Sequence, residues 1–334
     1  MSSRRAIRLH GAGALALALA LTATGCGSGS DDTSASSVPT RVIKADNGDI
    51  KVPVTPKRVV ATGYAVPALI EAGAPLVGIS SWKRGVPMMD AQTKATYEGL
   101  TKIAGETAAE TNYEAIAKAR PDIIVIGVPA PVLGDIDVKR LESIAPVVAI
   151  GPTVPSAWRE LSGRQADAAG VLKGFETAKS QYEAKAAELK TKYQAVLPNL
   201  KLAHVGSYGE VAKGNFHREF DGSWGTNVAN DLGAKYYGQV KVKGPGSKSV
   251  SEYPSIEELP SALGEADAIT YSVDPTGAPL APVQYVLDSK LWKNLPAVKA
   301  GKAYAFRYTE AATYKQAMQT LDSIDQALAP LLEQ

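Results

Sequence analysis

Eight aromatic and arginine residues carry the clearest recognition chemistry in this sequence: Tyr64, Trp82, Arg84, Phe216, Trp224, Tyr271, Arg307 and Tyr308. Each lies in or beside a segment that reads as a loop. A guanidinium fits anionic oxygens in bidentate fashion, and an aromatic face covers an organic shell. The set therefore suits a grip on a bulky, polar small molecule. Trp158 and Trp292 fall within helical patterns and read as core. Covalent or metal chemistry has less to work with. Cys26 is the single cysteine, and His10, His204 and His217 are the only histidines. A metal site needs several imidazole, thiolate or carboxylate ligands to converge. No Gly-rich phosphate loop, nucleophile elbow or zinc-protease motif occurs, and Gly244-Pro245-Gly246-Ser247 reads as a mobile loop rather than a phosphate cradle.

Two acids form a second pattern. Glu114 and Glu257 sit at equivalent places in the two halves, each early in a short helix that precedes a strand. The helix dipole alone favours an acid there, by about 0.3–1 kcal/mol. That is enough to account for either residue alone.

The elements that position these residues follow from apolar periodicity. Phe175 to Val196 holds no Gly or Pro and is rich in strong helix formers. Phe175, Tyr182, Leu189 and Val196 recur every seven residues, with Ala178, Ala186 and Tyr193 beside them, giving one apolar stripe on a charged rod about 33 Å long. Gly174 marks its start and Pro198 its end.

Before that helix, Arg41–Ile43 and Ile50–Val54 flank the turn Asp46-Asn47-Gly48-Asp49 and read as a hairpin. Apolar strands at 58–62, 76–80, 123–127 and 147–150 then alternate with helices at 66–72, 112–119, 135–144 and 156–170. That is the pattern of a parallel α/β sheet. After the helix, strands at 201–206 and 266–271 alternate with helical segments at 226–233 and 255–259, the latter shortened or bent by Pro260. A closing helix runs from Ala311 to about Leu332. Tyr64 and Trp82 follow strands 58–62 and 76–80, where open parallel sheets place their ligand crevice, and Tyr271 and Arg307 follow strands of the second half.

The expected architecture is α/β: two Rossmann-like lobes joined by one long bridging helix, with a ligand cleft between them. Its segments are residues 1–25, 26–40, 41–172, 173–197 and 198–334. A chain of 334 residues is long enough for two cores.

Residues 1–25 combine Arg4, Arg5 and Arg8 with the apolar run Gly11–Ala23 and contain no acid. This is the layout of a secretory signal peptide, too short for a membrane span. Ending in Ala23-Thr24-Gly25-Cys26, it resembles a bacterial lipoprotein signal, which implies that Cys26 is the lipidated first residue of the mature protein. The polar stretch after Cys26 reads as a flexible tether. Without those three arginines the formal charge of +2 drops to −1, which is no footprint for nucleic acid.

The runs PKRVVATG, EAGAPLVGIS, NYEAIAKARPDIIVIG and LESIAPVVAI, in that order, resemble the N-terminal lobe of substrate-binding proteins of ABC importers. The matching subgroup takes iron-siderophores, haem or vitamin B12. Lys290 to Tyr304 resembles the C-lobe signature of the same family. The resemblance implies a lipid-anchored, extracytoplasmic carrier of a ferric siderophore, with no catalysis and no cofactor of its own, iron entering only within the ligand. It also implies that Glu114 and Glu257, with Glu258 competing, dock on arginines of the two permease subunits. Vitamin B12 or haem is the alternative ligand. An extracytoplasmic enzyme working in the cleft is the rival from another class.

Overall fold

The strands of the first lobe read as unbroken apolar runs because both faces of their sheet are covered. A computed structural model describes residues 38–209 and 211–333; the signal segment, Cys26 and most of the tether lie outside the described residues. Strands β1 (Thr40–Ala45) and β2 (Gly48–Pro53) form the expected antiparallel hairpin. Next come β3 (Val59–Gly63), β4 (Leu76–Ser80), β5 (Lys102–Ala104), β6 (Ile123–Gly127) and β7 (Val147–Ala149). They make an all-parallel sheet in the order β5-β4-β3-β6-β7. Val59, Ala61, Ile123, Val125 and Val148 face one core, while Val60, Ile124, Ile126, Val147 and Ala149 face another. Successive residues on a strand point to opposite faces, so a doubly covered sheet needs apolar residues at every position. The tip of the hairpin is tied to β7, with Asn47 bonding Val147 O and Ala149 N at 3.0 Å each.

The second lobe departs from this pattern. Strands β8 (Leu202–Gly206), β9 (His217–Glu219), β10 (Ser251–Glu252), β11 (Ala268–Ser272) and β12 (Ala303–Phe306) lie in the order β10-β9-β8-β11-β12. Only β8, β11 and β12 pair in parallel, because the reversed strand β9 runs antiparallel to both its neighbours, β8 and β10. Neither β9 nor β10 is visible as an apolar run, since His217, Arg218 and Glu219 are all buried yet polar. On the side of this sheet facing the other lobe, His204 bonds Thr270 Oγ1 at 2.7 Å and Ser272 Oγ at 3.0 Å. A polar ladder thus stands where the first lobe has aliphatic side chains.

The bridging helix spans Leu172–Tyr193, and Ala178, Tyr182, Ala186, Leu189 and Tyr193 are its buried stripe. It begins and ends three residues earlier than the apolar pattern suggests. Gly174 lies inside the first turn rather than before it. A Cβ at Gly174 would come within 2.2 Å of the Ala72 carbonyl oxygen, so the glycine serves close approach to the helix Ala65–Glu71, not a helix stop. The segment expected as a helix over 135–144 is confined to Val138–Glu142, capped by Asp137. Pro260 occupies the first turn of Leu259–Leu263, where a proline is tolerated. The closing helix is Tyr314–Leu328 and starts late because the Thr313 side chain caps it.

From Val38 onward the chain packs as one unit. One apolar core runs from the β3 face through the bridging and closing helices to Leu202, Ala268 and Phe306 of the second lobe. Polar contacts reinforce the seam. Trp158 Nε1 donates to Asn227 Oδ1 at 3.0 Å, Arg159 reaches Asp231 at 2.6 Å, and Tyr182 donates to the same Asp231 carboxylate. From the closing helix and its cap, Thr313 donates to Glu71 at 2.7 Å and Gln319 to Met88 O at 2.7 Å.

Candidate ligand-binding cleft

The order of the first sheet reverses between β3 and β6, and open parallel sheets hold ligands beyond the strand ends at such a point. Here the chain leaves β3 through Gly63 at φ +60°, a left-handed conformation that favours glycine. A Cβ at Gly63 would meet Gly127 O at 2.5 Å. Tyr64 N donates to that same carbonyl at 2.8 Å, which fixes the tyrosine at the mouth of the switch point. One strand along, Trp82 N donates to Tyr97 Oη at 2.8 Å. The Tyr64 and Trp82 rings meet edge to face at 4.8 Å, and the exposed Arg84 guanidinium lies 4.1 Å over Trp82 and 4.9 Å over Tyr64.

The second lobe faces this cluster with Tyr208 and Trp224. Trp224 lies parallel to Tyr64, tilted by 7°, at 6.3 Å, and meets Tyr208 at 5.3 Å. Behind it, Glu219 accepts from Gly225 N at 2.5 Å. Two connected cavities open between these walls. The inner one, about 20 Å³, is lined by Tyr64, Trp82, Arg84, Tyr208, Trp224 and Glu310. The outer one, about 270 Å³, adds the 152–155 loop and Lys248. Sites for small molecules are largely apolar with a few placed polar groups, and this lining has that character. The 244–247 stretch, read from sequence as a mobile loop, contributes Pro245, Gly246 and Ser247 to the outer wall.

Of the eight loop residues singled out in the sequence, the structure gathers Tyr64, Trp82, Arg84 and Trp224 in the cleft. The other four lie elsewhere. Phe216 is fully buried in the second-lobe core, because it precedes β9 and faces Val205 and Leu259 rather than the other lobe. Tyr271 lies within β11, not after it, and packs edge to face on Trp292. Arg307 follows the edge strand β12, one strand away from the reversal, and lines a separate pocket with Tyr271 and Ser323. Tyr308 packs against the main core at φ +58° and lines neither cavity. Tyr208 and Glu310 were not anticipated. Tyr208 comes two residues after β8, as Tyr64 comes one after β3, so the rule that found Tyr64 reaches it too. Glu310 has no such signal.

Burial dominates the electrostatics. It pushes the Tyr64 phenol well up, with Arg84 opposing. It raises the Glu310 carboxyl, again against Arg84. Under the second-lobe wall it takes His204 and His217 down to about 3 and Glu219 up to about 8, each toward its neutral form. Both histidines are buried away from the cleft surface. Among the described residues no group of three or more His, Cys, Asp or Glu is placed to hold a metal ion.

The two paired acids are on the surface. Glu114 is exposed in the first turn of Tyr113–Ala119. Glu257 is exposed in the turn Ile256–Glu258. Neighbouring Glu258 is already engaged, capping Ser255 and binding Lys241 Nζ at 2.5 Å.

Residues 59–308 match the family model described as periplasmic binding protein. The chain belongs to that family. Its members are binding proteins, not enzymes, and the family's name places them outside the cytoplasm. The chain is 27% identical over 278 residues to the iron(3+)-hydroxamate-binding protein YxeB of Bacillus subtilis (strain 168), covering 82% of this chain and 79% of that protein. It is 28% identical over 304 residues to the protein of the same organism named "Probable siderophore-binding lipoprotein YfiY", covering 88% and 89%. Among solved structures, it is similar to the siderophore periplasmic binding protein from the fuscachelin gene cluster of Thermobifida fusca. There the TM-score is 0.67 at 29% identity, with 84% of this chain and 98% of that chain covered. The two-lobed fold with a single bridging helix agrees with the sequence reading.

Proposed function

We propose that this protein captures a ferric siderophore in the cleft between its lobes and hands it to the permease of an ABC importer. The observation that carries this reading is the cleft itself. Four aromatic rings from both lobes surround an exposed guanidinium at the sheet reversal, a shape and chemistry suited to an organic shell with oxygen donors around iron. The relatives' names, which include ferric hydroxamate and siderophore binding, support the same ligand class. The protein needs no cofactor of its own, and iron enters with the ligand. Glu114 and Glu257 dock on cationic groups of the permease, being exposed acids on opposite lobes with no ion pair among the described residues. A lipid on Cys26 holds the carrier at the outer face of the membrane, in keeping with the lipoprotein relative.

Trp82 and Trp224 line the cleft, so their fluorescence reports occupancy. Titration with ferric hydroxamates, ferric catecholates, haem and cobalamin should give saturable quenching by a ferric siderophore. Quenching by haem or cobalamin alone would overturn the ligand assignment, and turnover of any ligand would overturn the carrier role. Cys26→Ala should move the protein from the membrane to the soluble fraction with its ligand affinity unchanged.

A further inference from the structure

Among the described residues, Glu310 is the one carboxylate lining the inner cavity and Arg84 the one guanidinium. It reaches the cavity from the second lobe, four residues after β12, while Arg84 comes from the first lobe. Glu310 is half-buried, and its carboxylate makes no hydrogen bond or ion pair within the described residues. A carboxylate held at a cavity wall with no donor of its own is free to take a donor that arrives from outside. Arg84 does not close on it. The guanidinium is spread over the Trp82 and Tyr64 faces instead, at 4.1 and 4.9 Å, and its backbone N–H is taken by Glu106 at 3.1 Å. The remaining wall, Gly85, Met88, Tyr208, Trp224, Ala312 and the neutral amide of Gln316, carries no charge. The inner cavity is therefore a dipolar clamp with an acceptor-binding cation on one lobe and a donor-binding anion on the other.

We propose that Glu310 is a specificity-determining residue that takes an ammonium or amide N–H arm of a ferric hydroxamate whose oxygens face Arg84, and that it rejects polyanionic ferric chelates. This rests on the reading of the cleft as a siderophore site. A neutral or cationic hydroxamate complex satisfies both charges at once. A triply anionic tricatecholate satisfies Arg84 but forces like charge against Glu310, and like charges in a partly dehydrated site discriminate strongly.

The test compares three probes on the full chain: ferric desferrioxamine B, which carries one free ammonium, its N-acetylated form, which has lost that charge, and a ferric tricatecholate. The wild type should bind the ammonium form about tenfold or more tighter than the acetylated form, as expected for a charge-assisted hydrogen bond. Glu310→Gln should bring the two to near equality and narrow the gap to the tricatecholate. Arg84→Gln should weaken all three while keeping the order. A wild type that does not distinguish ammonium from acetyl, or a Glu310→Gln protein that keeps the full preference, overturns the inference. The wild-type comparison decides the matter even if the variant folds poorly. Failure of every ferric chelate to bind would instead remove the siderophore reading on which it rests.

Discussion

The two lobes solve the same problem with different sequences. In the first, the strands are largely apolar on both faces and the sheet is entirely parallel, so each strand end points the same way and residues just past β3 and β4 line the cleft. In the second, β9 turns back, charged residues are buried on it, and a His-Thr-Ser ladder replaces aliphatics on the face toward the seam. Proximity to a strand end is therefore a good guide to the cleft in one lobe and a poor one in the other. The first lobe is a uniform support, whereas the second is a polar, titratable one.

The largest effect that sharpens this comparison concerns what the lobes share. If each presents one docking acid, Glu114→Ala with Glu257→Ala should abolish uptake while leaving the ligand dissociation constant nearly unchanged. Uptake assays and fluorescence titration on the same variant separate the two. A variant that loses affinity as well would mean that cleft and docking face overlap.

Next come the cleft walls. Trp82→Ala and Trp224→Ala should each weaken ligand binding by about thirtyfold or more, the usual cost of truncating a buried aromatic anchor. Arg307→Ala, on the separate pocket, should change affinity by less than about twofold. Calorimetry that found Arg307→Ala as damaging as Trp224→Ala would restore the strand-end rule to the second lobe.

A smaller contrast is in pH. Folded His204 and His217 sit near 3 against an ordinary 6.5, so the folded lobe binds fewer protons than the unfolded one. Their contribution to stability is full above 6.5 and is lost as pH falls toward 3. Glu219, raised to about 8, has the opposite sign: its contribution is present below 4.5 and fades as pH rises through 8. Two histidines against one glutamate mean that acid should loosen the second lobe first. Hydrogen exchange should show β8 and β9 losing protection on acidification while β3 and β6 keep theirs. Equal loss in both lobes would refute the asymmetry.

The smallest effect separates adjacent acids. Glu258→Ala should leave uptake close to wild type and lower the thermal midpoint slightly, because its carboxylate caps a turn and holds Lys241. Glu257→Ala alone should impair uptake. The reverse pattern would move the docking role by one residue.

These contrasts also explain how far the sequence could be read. The hairpin, the apolar strands, the bridging helix and the closing helix were legible because burial on a helix stripe or on both strand faces leaves a period in the residues. Strands β5, β9 and β10 were not, being two or three residues long and interrupted by or made of polar residues, unlike the equally short but wholly apolar β7. The helix Ala91–Gly99 was also missed, because it buries only Thr93 and Tyr97. Tyr64, Trp82 and Arg84 were legible as cleft residues because they follow central strands of a parallel sheet. Phe216 and Arg307 misled because strand direction and edge position are set by pairing between distant segments, which no local pattern records. Glu310 was silent for the same reason: its neighbours in space come from the other lobe.

The hydrogen bonds from Thr313 and Gln319 back to Glu71 and Met88 have a consequence for how the molecule comes into being. The first lobe's core is finished by a helix that lies more than two hundred residues further along the chain. A nascent chain that stops after the bridging helix therefore exposes the apolar face of Ala65–Glu71 and has only half a cleft. Binding competence arrives late and all at once, when the segment through Leu328 has emerged and folded back. A fragment cut before Thr313 should therefore neither bind ligand nor compete with the intact protein.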